Sequence, residues 1–122
     1  MQVLIVDGAN AVGSRPTGWW RDRAGAAERL HQAIAAADLG DYVVVLALEG
    51  DAKRGQPEGA DGAILTVHAP GSGDDTIVDL VRTRSAAEED VVVVTADRVL
   101  REQVAAAGGS SVSPSWLLSR TS

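Results

Sequence analysis

The chain has 122 residues, of which 45% are hydrophobic and 23% charged, enough for one ordinary domain with a single core and unlike a disordered segment. It contains no cysteine and two histidines, which excludes disulfides, thiolate metal sites and cysteine nucleophiles, and leaves too little for a histidine-rich metal site. The net charge of -6 argues against a protein that coats nucleic acid through many phosphate contacts, but not against a nuclease whose own acids add to the count. No run approaches the roughly 20 apolar residues of a membrane span, and the N-terminus lacks a signal-peptide pattern, so a cytoplasmic protein with no membrane partner is expected.

In chain order, Val3 to Val6 reads as a short buried strand. Arg23 to Ala37 reads as a helix, because Ala26, Ala27, Leu30, Ala33, Ile34 and Ala37 recur at the helical period. Tyr42 to Leu48 (YVVVLAL) is a near-continuous apolar run, as in a parallel strand covered on both faces. The stretch Glu49 to Gly62, rich in Gly and charge, reads as an exposed loop, and Ala63 to Val67 as a third strand. Asp74 to Arg84 carries Ile77, Val78, Leu80 and Val81 on one helical stripe. Asp90 to Thr95 is a fourth strand, Arg98 to Ala107 a helix stopped by Gly108-Gly109, and Ser111 to Ser113 a last short strand before a brief turn around Trp116. Alternating strands and helices predict an α/β domain with a mostly parallel five-stranded sheet. Order 3-2-1-4-5 is expected because it sets the tip of the first strand between those of the second and fourth.

Ligands of such sheets bind at the carboxyl ends of the strands. Asp7 follows the first strand, Glu49 the second, and Asp97 lies two residues past the fourth. Each has a local explanation as turn, loop or N-cap residue. Together they would crowd one edge, since neighbouring strands are about 4.8 Å apart, and crowded carboxylates share protons or bind metal. In GSGDDTIVDLV, Asp74 is explained by capping and helix-dipole compensation. Asp75 shares a helix face with Asp79, a like-charge pair that needs something positive nearby. Mg or Mn, which take oxygen ligands, would supply it.

VDGAN, the acid ending LALEG, GSGDDTIVDLV and VTADRVL resemble, in order and spacing, the motifs of NYN domains in the PIN-like metal-dependent ribonuclease superfamily, and are most similar to its compact bacterial members. The resemblance spans nearly the whole chain. It implies one three-layer NYN/PIN-like domain over residues 1–122 that hydrolyses single-stranded RNA with Mg or Mn. It implies Asp7, Asp75 and Asp97 as catalytic metal-site acids, with Glu49 a further metal ligand where these proteins usually have Asp. Asn10, Asp79 and Thr95 match positions that orient the acids or the phosphate.

The loop SRPTGWWRDRAG carries Arg15, Arg21 and Arg23 against one acid, with Trp19 and Trp20 between them. Arg for phosphate and Trp for base stacking grip a single strand, so these five residues are the expected RNA contacts. Lys53 and Arg54 read as a solvated loop, and His31 and His68 as structural. GSGDDT lacks the Lys-Ser/Thr of a phosphate loop. A metal-dependent nucleotide pyrophosphohydrolase, or a noncatalytic RNA-binding or protein-interaction module, are the competing readings. Assembly as a homo-oligomer or within a larger RNA-processing complex is left open.

Overall fold

A computed structural model describes residues 2–13 and 19–121, apart from the side chain of Trp19. Strand β1 (Gln2–Asp7) runs directly into a short helix α1 (Gly8–Gly13). A 3-10 turn (Trp19–Arg21) leads to helix α2 (Arg23–Ala36). Strand β2 (Tyr42–Leu48) is followed by a 3-10 segment (Gly50–Gly55), strand β3 (Gly59–Asp61) and strand β4 (Ile64–His68). Then come α3 (Gly73–Ala86), β5 (Asp90–Val94), α4 (Arg98–Ala106), β6 (Ser110–Val112) and α5 (Pro114–Thr121).

The sheet has six strands in the order β3-β4-β2-β1-β5-β6, with β3 antiparallel to β4 and the other pairs parallel. The expected five-strand order 3-2-1-4-5 is therefore incomplete. It lacks β3, which lies in the Gly-rich segment read as a loop. Three fully exposed residues give β3 no hydrophobic period, and only its ladder to β4 makes it a strand. The rest of that segment is also ordered, as 3-10 turns packed on α2.

Alternation along β1 builds the two sides of the core. Leu4 and Val6 face one way, with Leu46, Leu48, Leu30, Ile34 and Leu117, under α1, α2 and α5. Val3 and Ile5 face the other, with Val45, Val93, Ile77, Val81, Leu100 and Val104, under α3 and α4. The result is three layers. With no Phe in the chain, this aliphatic packing carries the fold, each fully buried Leu, Ile or Val stabilising it by about 1.5–3 kcal/mol relative to exposure. Trp116 packs at the margin, edge-on to Tyr42 at 6.0 Å and under the Arg120 guanidinium at 4.0 Å. His31 is buried on α2, its Nε2 3.8 Å from an Asp61 carboxylate oxygen. His68 Nε2 lies 2.7 Å from the Gln56 carbonyl.

Candidate metal-dependent active site

Register decides what meets at the carboxyl edge. Val6 pairs with Val94, so the residues one step on, Asp7 and Thr95, stand side by side, and Asp7 itself pairs with Ala47, two residues before Glu49. Asp7 is 7% exposed and Thr95 is fully buried. The Thr95 hydroxyl donates to Asp7 Oδ2 at 3.0 Å and its oxygen accepts the Asp97 N–H at 3.2 Å. One hydroxyl thus fixes both acids. Asn10 completes the frame from α1: its Oδ1 accepts the Ala96 N–H at 2.9 Å, and its own N–H points to Asp7 Oδ1 at 3.4 Å. The VDGAN stretch makes sense locally as well. A Cβ on Gly8 would sit 2.7 Å from the Ala47 carbonyl oxygen, so only glycine lets α1 start flush against β2.

Glu49 reaches across to the next helix and accepts the Gly73 N–H at 3.0 Å, at the first residue of α3. A Cβ on Gly73 would lie 3.2 Å from the Glu49 carboxyl carbon, so the glycine makes room for the acid. The N-cap of α3 is Ser72, whose hydroxyl accepts the Asp74 N–H at 3.2 Å. Asp74 is therefore not needed as the cap. Asp97 caps α4, accepting the Leu100 N–H at 3.0 Å through Oδ1.

Electrostatics tie these acids together. Burial pushes the Asp7 carboxyl above its usual range, opposed by the Thr95 and Asn10 hydrogen bonds and reinforced by the negative charges of Asp74 and Glu49. Asp74 is also raised, first by burial and then by Asp97, Glu49 and Asp75. Asp7, Glu49, Asp74 and Asp97 thus form one mutually repelling group, and the charges that bear on Asp7 and Asp74 are all negative. The donors are carboxylate oxygens, the type that hard divalent cations prefer. Among the described residues, no three His, Cys, Asp or Glu side chains stand close enough together to hold a metal ion. Three of the edge acids, Asp7, Glu49 and Asp97, are partly committed to backbone N–H groups through one oxygen each.

The sequence-derived residues divide accordingly. Asp7, Glu49, Asp97, Asn10 and Thr95 are brought to one edge. Asp75 and Asp79 lie on the exposed side of α3, and Asp79 has its positive partner in Arg82 at 3.7 Å, so that pair does not require a cation between its members. Asp74, half-buried, is raised by Asp97 and Glu49 of this edge and by its exposed neighbour Asp75. Its signal in the sequence was Ser72: a serine two residues upstream is the better cap and releases the acid.

Of the expected RNA contacts, Arg15 and the side chain of Trp19 lie outside the described residues. Trp20 is 56% exposed, with the Arg21 guanidinium 5.9 Å from its ring. Arg23 shares a small cleft with Glu49, Ala9, Val12 and Ala52, beside the acids. Lys53 donates to the Ala69 carbonyl at 3.0 Å and Arg54 pairs with Asp51 at 3.1 Å. No helix among the described residues is long and apolar enough to cross a membrane.

No family model matches the chain, and no curated protein matches it in sequence. In structure it is similar to Rae1 (YacP) from Bacillus subtilis, at 18% identity and a TM-score of 0.79 over 99% of this chain and 74% of that one. A single-substitution variant of the same protein gives 19% identity and a TM-score of 0.79, over 99% of this chain and 75% of that one. The likeness shows that the chain shares the α/β fold of that protein, here with a mixed six-stranded sheet. Fold alone does not carry an activity.

Proposed function

We propose that this chain is a metal-dependent ribonuclease that hydrolyses phosphodiester bonds of single-stranded RNA. The observation that carries the reading is the set of acids at the carboxyl edge, with Asp7 pushed up first by burial and then by the charges of Asp74 and Glu49. Acids held together against their own repulsion are stabilised by a cation. The resemblance to NYN domains and the structural likeness to Rae1 (YacP) support the same assignment.

Asp7, Asp74 and Asp97 would hold Mg or Mn, with Glu49 assisting through the oxygen it does not commit to Gly73. When bound, a divalent cation supplies the Lewis acidity that acidifies a water nucleophile and offsets charge developing on the phosphate. Thr95 aims Asp7 and favours its charged form against the effect of burial, because its hydroxyl donates to the carboxylate. Asn10 holds the loop that carries Asp97 against the tip of β1. Asp75, from its exposed position, adds negative charge to Asp74 and is an outer member of the site. Trp20, Arg21 and Arg23, together with Arg15 and Trp19, grip the strand by stacking and phosphate contact.

The test is cleavage of a labelled single-stranded RNA in Mg or Mn, with nucleoside triphosphates as a parallel substrate. Metal-dependent RNA cleavage that is lost with chelator, and falls at least about a hundredfold in Asp7→Asn, is expected, a larger loss than the roughly 10–100-fold typical of an outer-shell partner. RNA binding without metal-dependent cleavage would replace the enzyme by a binding module. Hydrolysis confined to the triphosphates would make it a pyrophosphohydrolase.

A further inference from the structure

Two open grooves lie next to the acid edge, and they share Ala96 as a common wall. The first, of about 610 Å³, is lined by Ala9, Asn10, Ala96 and the start of α5 at Ser113 to Ser115. The second, of about 550 Å³, continues along α4 past Arg98 and Arg101 to Ser111 on β6. Each falls within the roughly 300–1,000 Å³ of small-ligand pockets. Ala96 sits between Thr95 and Asp97, and its N–H is held by Asn10, so the common wall of both grooves is the backbone of the acid site itself.

Arg98 and Arg101 stand at i and i+3 on α4 and are both exposed. Neither forms an ion pair among the described residues, whereas Arg54, Arg82 and Arg84 each pair with an acid. Glu102 lines the same groove but does not reach either guanidinium. Arg101 is oriented rather than neutralised: its Nε donates to Ser111 Oγ at 3.0 Å, which leaves the two Nη groups for an anion. In a chain of net charge -6, two unpaired guanidiniums beside a groove that opens from an acid site are a local reversal of sign. An extended polyanion fits that reversal.

We propose that single-stranded RNA passes from the acid site over Ala96 and along α4, with Arg98 and Arg101 as a phosphate clamp. This rests on the ribonuclease reading and adds a path for the strand. The Ser113 and Ser115 hydroxyls, 2.7 Å apart, border the first groove and offer polar contacts to the nucleotide lying there.

The experiment compares the full chain with Arg98→Gln/Arg101→Gln, and with the charge-preserving Arg98→Lys/Arg101→Lys. Binding of a labelled single-stranded RNA is measured in chelator over a range of salt concentrations, and KM and kcat are measured in Mn. The Gln pair is expected to bind at least about tenfold more weakly at low salt. Its plot of log affinity against log salt should flatten by about 1.4, two contacts at about 0.7 each for a single strand. KM should rise with kcat largely kept, and the Lys pair should recover most of the salt slope. A Gln pair that binds and cleaves like the parent overturns the path over α4 while leaving the ribonuclease reading intact. A parent protein that neither binds nor cleaves RNA overturns both.

Discussion

Three surface or half-buried acids that pair with arginine and the acids at the carboxyl edge of the sheet are treated in opposite ways. Away from the edge, three acids have a cation within reach: Asp51 with Arg54 at 3.1 Å, Asp79 with Arg82 at 3.7 Å, Glu89 with Arg84 at 3.4 Å. At the edge, Asp7 and Asp74 are raised by burial and by one another's neighbours, and only negative charges bear on them. The surface pairs are worth about 0–1 kcal/mol each. The edge acids cost stability in the absence of a cation, and the fold spends a buried threonine, an asparagine and two close-approach glycines on holding them there. An acid buried among other acids and held there by hydrogen bonds is the physical ground for placing function at this edge.

The largest expected effect separates two adjacent residues. Asp74→Asn should lower metal-dependent cleavage at least about a hundredfold, beyond the range of an outer-shell change, while Asp75→Asn should change it by no more than about tenfold. Equal losses in the two variants, measured as kcat/KM on the same RNA, would extend the edge group to the exposed side of α3 and blur the contrast.

That pair also shows what the sequence carried. Strand ends were legible: YVVVLAL and DVVVV are buried parallel strands with few alternatives, and the acids just past them fall at one edge by register. Helix phase was not, because one residue turns a side chain by about 100° and the true start of α3 depends on whether Ser72 or Asp74 is the cap. The 23 residues between Glu49 and Gly73 hid their hydrogen bond, since nothing local announces that an acid will meet a helix start so distant in the chain. Short elements were lost for a similar reason. GANAVG has two glycines and poor helix propensity, and it forms α1 because it packs on β2 and α2. Strand β3 has no apolar residue apart from Ala60, and exists through its pairing with β4.

The raised carboxyls predict a pH dependence of definite sign. Between the ordinary carboxylate range and their higher folded-state values, Asp7 and Asp74 bind more protons folded than unfolded, so their contribution to stability falls as pH rises through that window. Metal binding runs the other way, because the acids must lose those protons. Apparent metal affinity should therefore rise with pH by about tenfold per unit for each proton displaced, and level off above the folded-state values. A flat profile across the weakly acidic range, followed by isothermal titration with Mn, would place the cation away from Asp7 and Asp74.

The smallest effect tests the acid with two duties. Asp97 caps α4 and belongs to the edge group. Asp97→Ala should destabilise the metal-free protein by about 1 kcal/mol through the lost cap, whereas Asp97→Asn keeps a capping oxygen, relieves repulsion and should leave stability level or raised. Urea midpoints of the two variants give the comparison directly. Loss of stability in both would make the cap the whole of its role.

Metal-dependent stabilisation tests the central claim most directly, because it reads the edge group without requiring a substrate. The melting temperature of the full chain is measured against Mn and Mg concentration, beside the double variant Asp7→Asn/Asp74→Asn. At a hundredfold excess over Kd, a ligand of the folded state alone adds about 2.7 kcal/mol, or roughly 10 °C for a chain of this size. The parent should gain that much. The double variant should start higher without metal, since its repulsion is gone, and gain almost nothing. A parent whose melting temperature does not move with either cation, or a double variant that responds as the parent does, would contradict the account.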